Sequence, residues 1–273
     1  MPSAYTHYRF GKEVLSCLPK HYRRPIEENR ELFDIGLHGP DILFYYKPLS
    51  KNPVKQTGHD MHDATADTFF KAAAAKWKES QNQDALKAYL FGFICHFALD
   101  SICHPYVKKM VSCGDFSHTE LETELDRFFL LKDNLDPMTY VPVQHIHVTD
   151  TNCKVITECY DSVSESEIRT ALRGMISSVK TLGTPEGLKR KLIIFAMKIT
   201  GNYDFMFGLM MKSEENPACQ KHCKLLYNKY LEAVTTAASL IQQYGNVLEH
   251  DADLSSRFNM TFGAGENWEH LYI

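Results

Sequence analysis

The chain lacks features that would place it in several specialised classes of protein. Its 273 residues include eight cysteines, far below the cysteine density of a disulfide-stabilised scaffold. No segment combines a basic start, an apolar centre and a small-residue cleavage site, and none has the ~18 consecutive apolar residues of a membrane span. We therefore expect reduced thiols and a cytoplasmic protein.

Positive charge is also not in excess. The formal net charge is -4 at pH 7, whereas a surface that binds nucleic acid usually carries a basic patch. The hydrophobic fraction of 44% and the charged fraction of 23% are ordinary for a soluble globular protein. We therefore expect a globular protein without a nucleic-acid partner.

Helical periodicity dominates the sequence, and no clear pair of strands is present. We predict a single all-α domain of residues 1–273, with a metal-binding core in residues 1–132 and additional packed helices in residues 133–273. The predicted helices cover residues 7–18, 24–35, 64–78, a segment from about Asp84, 118–131, 151–162, 165–182, 185–200, 202–212 and 217–249. Residues 36–49 are predicted as a loop or broken helix, and residues 50–63 as a loop.

Histidine, by contrast, is abundant, with 13 residues. His96, Asp100 and His104 interrupt an apolar helical segment at intervals of four residues, so all three project from nearly one face. After the break SCGDFS, His118 and Glu122 repeat the same spacing. A buried Asp or His without a partner costs several kcal/mol. A metal cluster is the economical explanation for five such residues on two adjacent helices.

Four residues earlier in the chain are further candidates. Asp41 follows Gly-Pro and precedes an apolar run, where it is either a helix cap or a metal ligand or general base. His59 and His62 end a predicted loop and are either ligands or surface groups. His7 stands at the start of the first predicted helix.

Two other stretches carry weaker signals. His145 and His147 alternate as in a strand, and we predict that both lie at the surface. Residues 188–211 combine a basic start with aromatic residues and methionines. Such a segment either lies on a membrane or packs in the core, and we favour the core. A peripheral membrane contact is accordingly only a secondary expectation.

In their order along the chain, these residues resemble those of the zinc-dependent phospholipase C family. That family includes secreted bacterial phospholipases C, the N-terminal domain of glycosylphosphatidylinositol-specific phospholipase D and the related P1/S1 nucleases. The resemblance covers roughly residues 5–130 and is carried by the segments THYRFGKEVL, AYLFGFICHFALDSICHPYV and SHTELETELDRFF. It implies an all-α bundle that holds two or three Zn2+ ions.

The resemblance also implies roles for individual residues. Asp41, His96, Asp100 and one histidine of the 59–62 pair would hold one zinc ion. His62 is favoured over His59 because it directly precedes the next helix, as the family's histidine does. Asp41 would also be the catalytic residue that orients or deprotonates the attacking water.

Two further ions are implied in the same way. His104, His118 and Glu122 would hold a second zinc ion, and His7, Asp100 and the mature N-terminal residue a third. The sequence departs from the family in two respects. It begins Met-Pro rather than with the Trp of the secreted enzymes, and the spacing between Asp100 and His104 is shorter.

Nitrogen and carboxylate ligands suit zinc, and also manganese or iron. Clustered divalent ions hold a phosphodiester and lower the pKa of a bound water from about 15.7 to ~7. We therefore predict a phospholipase C-like, zinc-dependent phosphodiester hydrolase, with a phospholipid or a small phosphodiester as substrate.

Several alternatives stay open from the sequence. A P1/S1-like nuclease would use the same metal ligands on single-stranded nucleic acid, although the acidic chain disfavours it. A non-catalytic helical protein that binds metal would hold the ions without turnover. An HD-type phosphohydrolase would use His59-Asp60, but it would not explain the paired ligands at four-residue spacing. Core histidines without a metal are the remaining alternative.

Overall fold

The computed structural model describes residues 4–199 and 203–273. In these residues the chain forms no β-strand, and only an isolated bridge joins Thr65 and Thr261. The α-helices are α1 (Ala4–Cys17), α2 (Lys20–Glu28), α3 (Arg30–Gly36), α4 (Pro53–Asp63), α5 (Ala66–Glu79), α6 (Gln83–Cys113), α7 (His118–Lys132), α8 (Asp150–Thr157), α9 (Glu165–Leu182), α10 (Leu188–Ile199), α11 (Tyr203–Gly208) and α12 (Pro217–His250). Three 3-10 helices cover Gly39–Tyr45, Ser256–Asn259 and Trp268–His270. The predicted all-α fold is confirmed.

Helix α6 lies at the centre of the protein, and it contacts α1, α2, α3, α5, α7, α8 and α12. By length and composition it could cross a membrane, contrary to the expectation that no segment would qualify, but its apolar window is wholly buried by protein. The core helix of a soluble protein passes the same test. Burial on every side explains why its sequence is apolar all round rather than on one face.

Two glycines allow α3 to cross α6 at short range. A Cβ atom on Gly36 would lie 2.2 Å from the backbone oxygen of Tyr89, and one on Gly92 would lie 2.2 Å from the backbone oxygen of Phe33. No larger residue fits at either position without moving a backbone. This close crossing brings the 3-10 helix Gly39–Tyr45, which follows α3, against the middle of α6.

Helix α4 corrects the prediction that residues 50–63 form a loop. Asn52 caps this helix, because its side chain accepts a hydrogen bond from the backbone N–H of Lys55, and Pro53 occupies the first turn. Both are recognised signals for the start of a helix. The polar sequence that follows them obscured these signals, since α4 buries only Val54 and Gly58.

Smaller differences occur at other helix ends. Helix α6 begins at Gln83, one residue before the predicted cap Asp84. Helices α8 and α11 are shorter than predicted. Thr200 and Asn202, where two predicted helices end and begin, lie outside the described residues.

The segment after α12 was not assigned any role from the sequence, yet it packs into the core. Phe258 and Phe262 are fully buried. The Phe258 ring lies 4.5 Å from that of Phe70 and stacks on Phe97 at 5.3 Å between centroids. This tail therefore covers α5 and α6, and it places the Phe262 backbone beside the histidines of α6.

The surface prediction for the two histidines of residues 133–150 is wrong for one of them. His147 has an exposed side chain, but His145 is buried. Its Nε2 lies 2.8 Å from Nε2 of His38, and its ring stacks on Tyr8 at 4.1 Å. An aromatic and a histidine partner, both remote in sequence, hold it inside. All eight cysteines are free, as predicted.

Candidate metal centre

A first group of candidate ligands joins α1 to the middle of α6. His7 Nε2 lies 3.3 Å from Asp100 Oδ1, and His96 Nε2 lies 3.2 Å from Asp100 Oδ2. The rings of His7 and His96 stack with centroids 4.6 Å apart. All three side chains are buried, and one atom from each lies within 4.8 Å of the other two. This set is compact enough to hold a cation.

A second group adds residues from the 3-10 helix and α4. Asp41, His62 and His96 also place their ligand atoms within 4.8 Å of one another. His62 Nδ1 donates a hydrogen bond of 2.7 Å to the backbone oxygen of Gly58, which directs Nε2 towards Asp41 Oδ1 at 3.1 Å. A hydrogen bond that fixes the tautomer and orientation of a histidine is typical of metal ligands.

A third group joins α6 to the start of α7. His118 Nε2 lies 2.9 Å from Glu122 Oε1, and His104 Nε2 lies 3.5 Å from the same oxygen. His104 Nδ1 donates a hydrogen bond of 2.8 Å to the backbone oxygen of Phe262. With Nδ1 engaged in this bond, Nε2 faces Glu122 and is the nitrogen that would bind an ion. The side chain of His118 is 45% exposed, so this group forms the solvent-facing rim of the centre.

The three groups form one continuous centre. His96 belongs to the first and the second, and Asp100 connects the first to the third, because Asp100 Oδ2 lies 3.6 Å from His104 Nδ1. The resemblance implied that Asp100 would serve the ion bound by Asp41 and the ion bound by His7. The structure groups it with His7 and His96. The N-terminal residue, implied as a further ligand beside His7, lies outside the described residues.

Eight of the nine candidate residues lie in these groups. The exception is His59, which is exposed and packs its ring against Phe44 at 4.6 Å. His59 and His62 both lie on α4, three residues apart, but the contact with Asp41 on the 3-10 helix is made by His62.

Burial and mutual contacts set the protonation of the candidate ligands. Burial lowers the pKa of His96 to about 3, so this imidazole is neutral at pH 7. Burial opposes ionisation of Asp100, but His104, His96 and His7 together hold its pKa below the usual range. Burial likewise opposes the charge on His104, yet Asp100 and Glu122 raise its pKa to about 9. The carboxylates are thus ionised, and a cation is favoured between them.

The donor set fits zinc. It consists only of imidazole nitrogens and carboxylate oxygens, which are common zinc ligands. Nδ1 of His7 and both ring nitrogens of His96 are buried and make no hydrogen bond to the described part of the chain. Leaving buried polar atoms unsatisfied costs about 1–3 kcal/mol each. A bound ion would satisfy one nitrogen of each ring.

Three residues beside the centre, one of them predicted at the surface, were not recognised from the sequence as part of it. His38 and His145 form a buried pair beside His7, whose ring lies 6.5 Å from that of His38. Burial lowers the pKa of His145 to about 3, and burial together with His145 lowers that of His38, so the pair is neutral. Only the position of His38, three residues before Asp41, could have drawn attention to it.

Asp126 is the other missed residue. On α7, it accepts hydrogen bonds from the backbone N–H of Tyr5 (3.1 Å) and of Thr6 (2.8 Å) and from the Thr6 hydroxyl (2.6 Å). It therefore fixes the first turn of α1, from which His7 projects. Its spacing of four residues from Glu122 on α7 was a usable signal.

The comparisons with known proteins agree with this geometry. Residues 6–181 match the model of a family described as zinc-dependent phospholipase C. The match is longer than the resemblance read from the motifs, and it reaches almost to the end of α9. No curated protein and no solved structure matches the chain. With well over half of its length matched and three candidate metal-binding groups in place, the chain belongs to the zinc-dependent phospholipase C family.

Proposed function

We propose that the chain hydrolyses the phosphodiester bond of a phospholipid, with a water molecule activated by two or three zinc ions. The observation that carries this proposal is that His96 belongs to two groups of ligands and that Asp100, in the first group, lies 3.6 Å from His104 in the third. Ions held by such groups would lie close enough to act on one phosphate. The family match supports a metal-dependent, phospholipase-like function without specifying the substrate.

The zinc ions would neutralise the charge that develops on the phosphate and lower the pKa of a bound water to ~7. In the reaction, the water oxygen bonds to phosphorus, the bond from phosphorus to the alcohol oxygen breaks, and the leaving oxygen takes up a proton. The products are a phosphomonoester and an alcohol, which is diacylglycerol for a glycerophospholipid.

Asp41 is the proposed catalytic residue. Burial opposes its charge, but the hydrogen bond from His62 and the proximity of the His96 and His62 imidazoles hold its pKa well below the ordinary value. A carboxylate of low pKa is a poor store for a proton at neutral pH. We therefore assign Asp41 to orientation of the attacking water through a hydrogen bond, in addition to its contact with a metal.

The substitutions His104→Ala and His59→Ala test the proposal as a matched pair. His104 lies in the third group, whereas His59 lies outside all three. We expect His104→Ala to lose about one metal ion per chain and to slow hydrolysis of a soluble short-chain phosphatidylcholine by at least about 100-fold. His59→Ala should retain both. Metal content is measured by elemental analysis, and hydrolysis by release of phosphocholine.

Four outcomes would contradict the proposal. Less than one metal ion per wild-type chain would show that the candidate ligands do not form a metal centre. Full metal content and a full rate in His104→Ala would contradict the assignment of His104 as a metal ligand. Cleavage of single-stranded DNA in preference to phosphatidylcholine would favour a nuclease, and metal without turnover of either substrate would favour a binding protein.

A further inference from the structure

Helix α10 presents an apolar stripe to solvent. Leu188, Leu192, Phe195 and Ile199 are 75%, 60%, 61% and 70% exposed. At 100° per residue these four side chains lie within an arc of about 60°. The expectation that residues 188–211 pack in the core is therefore wrong for this face. An amphipathic helix normally turns such a stripe inward, so its exposure indicates an interaction surface.

The opposite face of α10 fixes this orientation. Met197 is buried, and Ile193 and Ile194 pack beside it in a small apolar cluster with residues of α11. The buried guanidinium of Arg190 donates hydrogen bonds to the backbone oxygens of Thr184 (3.1 Å) and Met211 (2.7 Å). The protein therefore holds α10 in place and leaves the stripe uncovered by the described residues.

Basic residues border the stripe. Helix α10 contains Lys189, Arg190, Lys191 and Lys198 and no acidic residue, whereas the whole chain has a net charge of -4. On the helical projection, Lys191 and Lys198 flank the stripe on one side and Lys189 on the other. All three lysines are exposed. Positive charge is thus concentrated beside the exposed apolar face.

An anionic phospholipid surface is the occupant that matches both properties. A helix with an apolar face bordered by lysines lies in the membrane interface, with its apolar side chains among the acyl chains and its lysines at the headgroups. A second copy matches less well, because a symmetric contact would bring like-charged lysines together. We propose that α10 docks the protein on an anionic bilayer through Leu188, Leu192, Phe195 and Ile199.

Contacts of α11 connect this surface to the metal centre. Helix α10 packs on α11, and α11 packs on the first turn of α7. Gly208 lies so close to α7 that a Cβ atom would be 2.3 Å from the Thr119 hydroxyl, and Lys212 forms an ion pair with Glu120. Both α7 residues adjoin His118 at the rim of the centre. The docking helix is therefore connected, through α11, to the turn of α7 that begins with the rim residue His118.

The choice of lipid as partner rests on the proposed function. The exposed stripe and its flanking lysines are independent of that function, and vesicle binding tests them separately. The family match ends at residue 181, before α10 begins. The stripe is accordingly a feature of this chain outside the matched region.

Co-sedimentation with vesicles tests the inference without any catalytic step. The full chain is incubated with vesicles of phosphatidylcholine alone or of phosphatidylcholine with phosphatidylglycerol. We expect binding to the second kind only. Leu192→Asp together with Phe195→Asp should weaken it at least tenfold. The control is Leu131→Asp with Leu231→Asp, which adds the same charge at exposed leucines of α7 and α12 and should leave binding unchanged.

A second measurement separates this inference from the proposed function. The Leu192→Asp, Phe195→Asp variant should hydrolyse soluble short-chain phosphatidylcholine at the wild-type rate and act more slowly on anionic vesicles. No binding of the wild-type chain to anionic vesicles, or equal binding by the variant, would overturn the docking and leave the proposed function standing. A wild-type dimer in analytical ultracentrifugation that this variant dissociates would assign the stripe to a second copy, and would also overturn it.

Discussion

The stability of the folded protein should depend on the protonation of Asp126. The carboxyl group is buried and accepts three hydrogen bonds from Tyr5 and Thr6 at the start of α1. Burial raises the pKa of Asp126 from 3.8 to about 6, although these hydrogen bonds lower it. The folded protein therefore binds a proton at Asp126 more tightly than the unfolded chain does.

The sign of the effect follows from this difference. A group whose folded pKa is raised stabilises the fold fully below its unfolded pKa, and the contribution is lost as the pH rises through the folded pKa. At about 1.4 kcal/mol per pKa unit, the loss between pH 4 and pH 7 is about 2 kcal/mol. Asp126→Asn does not titrate, so the free energy of unfolding of the wild type should fall by about 2 kcal/mol relative to the variant over this range.

Urea unfolding followed by circular dichroism at several pH values measures this difference. Other groups that titrate in the same range are common to both proteins and cancel. Asp253→Asn, at an exposed position, is the control, and its curve should run parallel to that of the wild type. A difference between the wild type and Asp126→Asn that stays constant from pH 4 to pH 7 would refute the dominance of burial at Asp126.

Two further predictions concern the metal centre. Gly39 has φ of +48°, and a Cβ atom there would lie 2.3 Å from His96 Cδ2. Gly39→Ala should therefore displace the imidazole of His96 and lower the bound metal by at least one ion per chain, as measured by elemental analysis. Unchanged metal content would contradict the proposed packing. Removal of metal with a chelator should lower the melting temperature by about 5 °C or more, because an ion present at a concentration 100 times its dissociation constant stabilises the folded state by about 2.7 kcal/mol. Added zinc should restore the melting temperature. Equal melting temperatures with and without chelator would argue against bound ions.

The local parts of the fold and centre were predictable from the sequence. Spacings of four residues place His96, Asp100 and His104 on one face of α6, and His118 and Glu122 on one face of α7, because helical geometry alone determines which side chains are neighbours. The start of α7 is likewise local, since the Ser117 side chain accepts a hydrogen bond from the Glu120 N–H.

Other parts depend on contacts between distant segments and could not be predicted in the same way. Periodicity does not reveal that Gly36 and Gly92 meet at a helix crossing, or that His145 is covered by Tyr8 and His38. The choice between His59 and His62 depends on where Asp41 lies, which that crossing decides. The exposed face of α10 was missed because a stripe of leucine and phenylalanine has the same sequence pattern whether it is covered or not.

The hydrogen bond from His104 to the Phe262 backbone has a consequence for biosynthesis. The two residues are 158 positions apart, so α6 is synthesised long before Phe262. During that interval this hydrogen bond is absent, and the third group of ligands lacks one of the contacts that orient His104. The geometry that would hold an ion there is therefore complete only after the C-terminal tail is made, and a nascent chain that stops before Phe262 would lack this hydrogen bond.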